Sequence, residues 1–265
     1  MTARMLRRLR IWRNCGMNRF MFRTTRRGLV PLMAGMSLVL AAAAPPVPPS
    51  SRSRLPLVAS RIAKGQDLRI VAFGSSSTEG AGASSPRANY PSRLERELGR
   101  LLPVPAVVLN RGIGGEDADD MLRRLPSVLA ERPHLIIWQT GTNDPLRRLP
   151  LSRFIAETRA GVAAMRAAGV DVMLMGPQLC TRLDHLPGSD RYRRALVRIG
   201  VEMGVPVVHR HTLMQTWLAK HEVAKRAMFA PDGLHMADGG YAKLGKEVAH
   251  EIVALAQPAP GYARR

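Results

Sequence analysis

The sequence predicts a three-layer α/β/α sandwich on a five-stranded parallel sheet, and three observations lead there. Five short apolar runs recur from residue 68 onward: LRIVAF (68–73), AVVLN (106–110), HLIIWQT (134–140), VDVMLM (170–175) and VPVVH (205–209). Each is apolar throughout rather than alternating, as expected of parallel strands covered on both faces. The stretches between them are longer and carry helical periodicity. That alternation is the signature of a chain whose crossovers lay helices on both faces of one sheet.

The helices follow in order. Pro91 to Leu102 reads as a helix with proline in its first turn, where the missing N–H is harmless. Asp117 to about Glu131 is the next. Ser152 is the expected N-cap of the third and Gly169 its stop, with Phe154, Ile155, Thr158, Val162 and Met165 along one stripe. Asp190 to Met203 ends at Gly204 in the same way, and a last helix follows Asp238 to about Leu255. The methionines fall at apolar positions and read as core filler.

At 265 residues the chain has room for one sizeable domain and an appendage. Its 46% hydrophobic and 23% charged residues exclude wholesale disorder. The two cysteines, Cys15 and Cys180, cannot build a disulfide framework, so packing and hydrogen bonds must hold the fold. The formal charge of +20 invites a nucleic-acid partner, but nine arginines precede Gly28, and without them the charge falls to +11. The remaining arginines are scattered, without the interleaved aromatics that stack bases, so no nucleic-acid partner is expected.

The segment Arg23 to Arg27 leads into GLVPLMAGMSLVLAAAA (28–44), a basic n-region, an apolar run and small residues suited to a signal peptidase. Seventeen residues interrupted by Pro31 fall short of the ~20 that span a bilayer. A cleaved signal (1–44), cut after Ala43, is therefore favoured over an anchor formed by residues 28–44, with membrane contact confined to this segment and transient. The Arg26-Arg27 pair has the look of a twin-arginine export signal. A Pro/Ser-rich linker is placed at 45–66, the α/β domain at 67–257 and a short tail at 258–265, with residues 1 to about 60 outside that domain.

In an open parallel sheet, ligands bind beyond the carboxyl ends of the strands. After the first run stands GSSSTEG (74–80), after the second NRGIGG (110–115), after the third GTND (141–144), and before the last helix DGLH (232–235). These are the parts that serine acyl transfer requires. A hydroxyl needs an adjacent base, the base needs a carboxylate, and the tetrahedral intermediate needs donors aimed at its oxyanion. A Gly-rich turn offers bare backbone N–H groups and an asparagine amide offers another.

The order Gly-x-Ser, N-R-G-x-x-G, G-x-N-D and D-x-x-H resembles the SGNH (GDSL-like) hydrolase superfamily over residues 68 to about 255. The resemblance implies a flavodoxin-like fold and a carboxylic ester hydrolase without a cofactor. It implies Ser76 as nucleophile, His235 as base and Asp232 as the orienting carboxylate. The oxyanion donors it implies are the Ser76 N–H, the Gly115 N–H and the Asn143 side-chain amide. The family's usual Asp before the nucleophile is here Ser75, which bears on loop geometry and leaves three consecutive serines. An α/β-hydrolase elbow fits less well, because Thr78 stands where its final glycine belongs.

The expected substrate is a small-molecule or glycan ester, an O-acetylated glycan among them, acted on by a monomer. Lysophospholipase or thioesterase activity is the enzymatic alternative, and a silent binding domain of the same fold is another. Loops Pro145–Leu151 and Leu183–Arg191 are where chain length and alcohol preference would be decided. No metal site is expected: His209, His211 and His221 lack a recognised ligand spacing, and Glu116, Asp117, Asp119 and Asp120 suit the positive end of a helix.

Overall fold

A computed structural model describes residues 55–257. The expectations for the export signal, for Cys15, for the start of the linker and for the tail lie outside the described residues. In chain order the elements are α1 (Pro56–Ala63), β1 (Leu68–Gly74), α2 (Ser76–Glu79), α3 (Tyr90–Leu101), β2 (Ala106–Gly112), α4 (Ala118–Ala130), β3 (Leu135–Gln139) and α5 (Asn143–Leu146). They continue with α6 (Leu151–Ala167), β4 (Asp171–Met175), α7 (Thr181–Asp184), α8 (Asp190–Met203), β5 (Val207–Val208), α9 (Arg210–Ala219), α10 (Lys225–Met228) and α11 (Asp238–Ala256).

The five strands form one parallel sheet in the order β2-β1-β3-β4-β5. After β1 the chain moves outward to β2, then crosses back to β3 on the other side of β1. Such a reversal opens a crevice at the carboxyl ends of β1 and β3. Alternate side chains of the strands feed two cores. Ile70, Ala72, Leu135, Ile137, Met173 and Met175 pack with α1, α3, α9 and α11. Val71, Phe73, Ile136, Trp138, Val172 and Leu174 pack with α4, α6 and α8. Each Val, Ile, Leu, Met or Phe side chain so removed from water contributes on the order of 1.5–3 kcal/mol.

Close packing sets some residue identities. A Cβ on Gly161 of α6 would stand 2.4 Å from the Trp138 ring, so glycine lets that helix lie against the buried indole. The Trp138 Nε1–H is directed at the Met121 sulfur, 3.0 Å away. Helix α8 ends at Gly204, left-handed at φ 63°, and α4 starts at Asp117, whose carboxylate takes the Asp120 N–H while Asp120 answers the Asp117 N–H.

Four expectations are corrected. The linker does not run to residue 66: residues 56–63 form α1, with Pro56 in the first turn and Leu55 and Val58 fully buried. The Val58 N–H donates to Asp171 Oδ2 at 2.9 Å, tying α1 to β4, so the packed domain begins at Leu55. Helix α6 starts one residue before Ser152, with Pro150 in the cap position at φ −60° and no side-chain cap. Strand β5 shrinks to two residues, because Pro206 has no N–H to give a ladder. Strand β2 lies at the sheet edge with Val107 half exposed, so only the inner strands are covered on both faces.

Candidate active site

Ser76 is the first residue of α2, immediately beyond the carboxyl end of β1. The three serines are told apart by burial: Ser75 and Ser77 are each 1% exposed, whereas Ser76 is open to the crevice. Where the family carries Asp, Ser75 is pinned from below. Its N–H and its hydroxyl donate to Gln139 Oε1 at 3.0 and 3.3 Å, and the Thr78 hydroxyl joins the same oxygen at 3.1 Å. A Cβ on Gly74 would fall 2.8 Å from that oxygen, which explains glycine there. The loop is therefore set by the last residue of β3. Sequence reading did not single out Gln139; the available signal was one polar residue ending an apolar run.

Asp232 and His235 come from the loop before α11. Gly233 at φ 67° permits a tight turn, and Asp232 Oδ1 accepts the N–H groups of Leu234 and His235, both at 2.9 Å. Its other oxygen, Oδ2, lies 2.5 Å from His235 Nδ1. Burial pushes the Asp232 carboxyl up, but these hydrogen bonds and the nearby imidazole outweigh it and bring the pKa down to about 2. An ionised carboxylate only accepts, so Nδ1 carries the proton and the Nε2 lone pair faces outward. Ser76 Oγ stands 2.8 Å from that Nε2. Serine, imidazole and carboxylate thus form one continuous relay.

The backing of this loop was also invisible in the sequence. The Leu234 carbonyl accepts from Gln178 Nε2 at 2.9 Å, and Gln178 Oε1 takes Arg210 Nη2 at 2.7 Å and the Thr142 hydroxyl at 3.3 Å. Arg210 is fully buried and also donates to the Gly176 carbonyl at 3.0 Å. Burial lowers its pKa to about 10, leaving it charged at neutral pH. The loop carrying His235 and the loop carrying Asn143 therefore share one buried glutamine.

Asn143 is the first residue of α5, 8% exposed, and its amide donates to the Glu116 carbonyl at 2.7 Å. The amide keeps a second proton. Gly115, next to Glu116, adopts φ 80°, a left-handed conformation suited to glycine. A Cβ on Gly114 would lie 3.8 Å from the Ser76 Cβ, so the NRGIGG turn is wrapped around the serine. A Cβ on Gly112 would sit 1.9 Å from the Glu79 nitrogen, which brings the turn onto the backbone of α2.

Other singled-out residues have structural roles. His211 Nε2 lies 3.2 Å from Asp184 Oδ1, and partial desolvation lowers the pKa of His209. Asp117 and Asp120 cap α4 and pair with Arg147 at 2.5 and 2.7 Å. Cys180 is a free, buried thiol.

Comparison with known proteins identifies the family. The model of the Non-GDSL lipase-like family matches residues 41–257. Esterase TesA of Pseudomonas aeruginosa is 28% identical over 131 residues, spanning 49% of this chain and 61% of its own length. Among solved structures, a two-domain esterase (CEX) active on acetylated mannans aligns with a TM-score of 0.65 at 18% identity, covering 79% of this chain and 55% of that one. The crystal structure of TesA aligns with a TM-score of 0.59 at 23% identity, over 72% of this chain and 99% of that one. This chain thus spans less than two thirds of the length of the curated TesA relative and of the mannan esterase. The family match covers most of the chain, so the chain belongs to the Non-GDSL lipase-like family, within the SGNH hydrolase superfamily.

Proposed function

We propose that this chain is an exported carboxylic ester hydrolase that works through an acyl-enzyme on Ser76, with O-acetylated glycans as its substrate class. One observation carries the chemistry: the unbroken relay from Ser76 through His235 to Asp232 at the carboxyl ends of the strands. In the proposed cycle Ser76 Oγ attacks the ester carbonyl while His235 Nε2 takes its proton, and Asp232 stabilises the imidazolium that results. The tetrahedral oxyanion sits among the Ser76 N–H, the Gly115 N–H and the free proton of the Asn143 amide. His235 then protonates the departing alcohol, and a water activated by the same imidazole releases the acid.

The glycan assignment draws on the likeness to an esterase active on acetylated mannans, and export on the basic and apolar segment up to Ala44. A second reading, hydrolysis of lipid acyl groups, has its own support. A cavity of about 670 Å³ walled by Leu179, Leu218, Phe229, Ala230 and Pro231 adjoins the Asp232 turn and has room for an acyl chain.

A fluorophosphonate probe tests the chemistry: labelling of the wild type but not of Ser76→Ala is expected, and no labelling of either means a silent domain. p-Nitrophenyl esters from acetate to palmitate, beside acetylated mannan and xylan, separate the two substrate readings. Preference for palmitate with no release of acetate from either polymer would replace the glycan reading. Export predicts an extracytoplasmic product whose N-terminus is Ala44; a cytoplasmic product retaining residues 1–43 would refute it.

A further inference from the structure

We propose that Arg124 is a positioning residue that holds the three oxyanion donors in register, an inference that rests on the acyl-enzyme reading of Ser76. The donors lie on three separate loops: Ser76 after β1, Gly115 after β2 and Asn143 after β3. Nothing in their local sequence aims them at a common point. Arg124 projects from α4 into the space between them, with only 17% of its side chain exposed and its guanidinium 4.5 Å from the centre of the Phe73 ring.

Each loop is tied to this one group. Arg124 Nη2 donates to the Gly74 carbonyl at 3.1 Å, two residues before Ser76, and to the Arg111 carbonyl at 3.0 Å, at the start of the NRGIGG turn. Past that turn, the Glu116 carboxylate takes Arg124 Nε at 2.9 and 2.8 Å and Nη2 at 2.5 Å. Glu116 directly follows Gly115, and its backbone carbonyl takes the Asn143 amide. One planar cation therefore links the loops of the first two donors directly and reaches the third through Glu116. A guanidinium suits this task, since Nε and Nη2 lie in one fixed plane and meet the Glu116 carboxylate side by side while Nη2 also faces the two carbonyls; an ammonium has no such fork. Among the described residues Arg123, its neighbour on α4, pairs with Asp119 and Asp120 on the surface.

The test uses the full chain with a p-nitrophenyl ester and a boronic acid, whose serine adduct places a charged oxygen where the ester oxyanion forms. Arg124→Lys and Arg124→Met are expected to lower kcat about 10- to 100-fold, as for a misplaced or lost oxyanion donor. KM should stay within about threefold, the pattern of an interaction made only in the transition state. Boronate affinity should weaken by the same factor as kcat/KM, Glu116→Gln should show a smaller loss of the same kind, and Arg123→Met should match the wild type. A raised KM with unchanged kcat, or a lowered kcat with unchanged boronate affinity, would overturn the proposal. If circular dichroism shows Arg124→Met unfolded, the other two variants decide, and wild-type kcat in both refutes it. Ser76→Ala is run alongside. Full activity there removes the acyl-enzyme reading and this inference together, whereas an inactive Ser76→Ala beside unimpaired Arg124 variants removes this inference alone.

Discussion

Replacing Asp144 by Asn should stabilise the protein at alkaline pH and leave it nearly unchanged in acid. Asp144 follows Asn143 in α5 and is 1% exposed; its Oδ1 accepts the Ala118 N–H at a long 3.3 Å, and its Oδ2 has no hydrogen-bond partner among the described residues. Burial raises its pKa from 3.8 to about 6; the Ala118 N–H and its own N–H pull the other way, while Asp117 and Glu157 push it further up. The folded state therefore holds this proton more tightly than the unfolded chain does. That contribution to stability is complete below the unfolded pKa of 3.8 and is lost as pH rises through about 6. The full change corresponds to roughly 3 kcal/mol, and between pH 4.5 and 8 to about 2 kcal/mol. Asn cannot ionise, so the stability difference between variant and wild type should widen by that amount over this range. Urea denaturation at both pH values measures it, as a relative midpoint shift of about 1 M if the slope is near 2 kcal/mol/M. Parallel pH dependences for the two proteins would show that the buried carboxyl ionises without penalty and refute the reasoning.

Asp232→Asn should lower kcat by about 10³- to 10⁴-fold, because the imidazole loses its tautomeric anchor. With its pKa held near 2, Asp232 adds stability that is present above the ordinary carboxylate pKa and fades as pH falls towards 2, so the wild-type rate profile between pH 5 and 9 should contain no step that Asp232→Asn removes. Gly112→Ala drives a methyl into the Glu79 backbone and should lower kcat by at least about 100-fold, the scale of a 1 Å displacement; unchanged kcat would mean that the turn and α2 move apart freely. Gly161→Ala should destabilise by about 1–3 kcal/mol through overpacking against Trp138, with a changed tryptophan emission and little change in kcat. Gln178→Met strands the Leu234 carbonyl and one face of Arg210, so a loss of about 1–3 kcal/mol in denaturant unfolding is expected, together with a lower kcat.

Much of the fold was legible because its signals are local. Apolar runs of strand length separated by periodic segments predicted all five strands, and Gly204 ended α8 where a left-handed residue was needed. The errors arose where composition masked contact. Residues 56–63 continue a Pro/Ser-rich stretch, yet Val58 and Leu55 have a core to enter. Helix α9 went unread because its buried face includes Arg210 and His211, polar side chains that no periodicity argument assigns to an interior.

By itself the sequence determined the layers, the five parallel strands, and the four loops whose residues meet at the crevice; the order of the strands came from the folded sheet. Those loops follow strands, and strands announce themselves in apolar runs. Tertiary structure showed why Ser76 alone of the three serines faces the crevice, how Gln139 holds Ser75, and how Gln178, Arg210 and Arg124 hold the loops from behind. The Ser75–Gln139, Arg124–Gly74, Gln178–Leu234 and Arg210–Gln178 bonds join residues 32 to 64 positions apart, and three of the four end on a backbone carbonyl or N–H, groups that carry no residue identity. A contact made to the backbone leaves no mark on the identity of its partner, and only the folded chain reveals it.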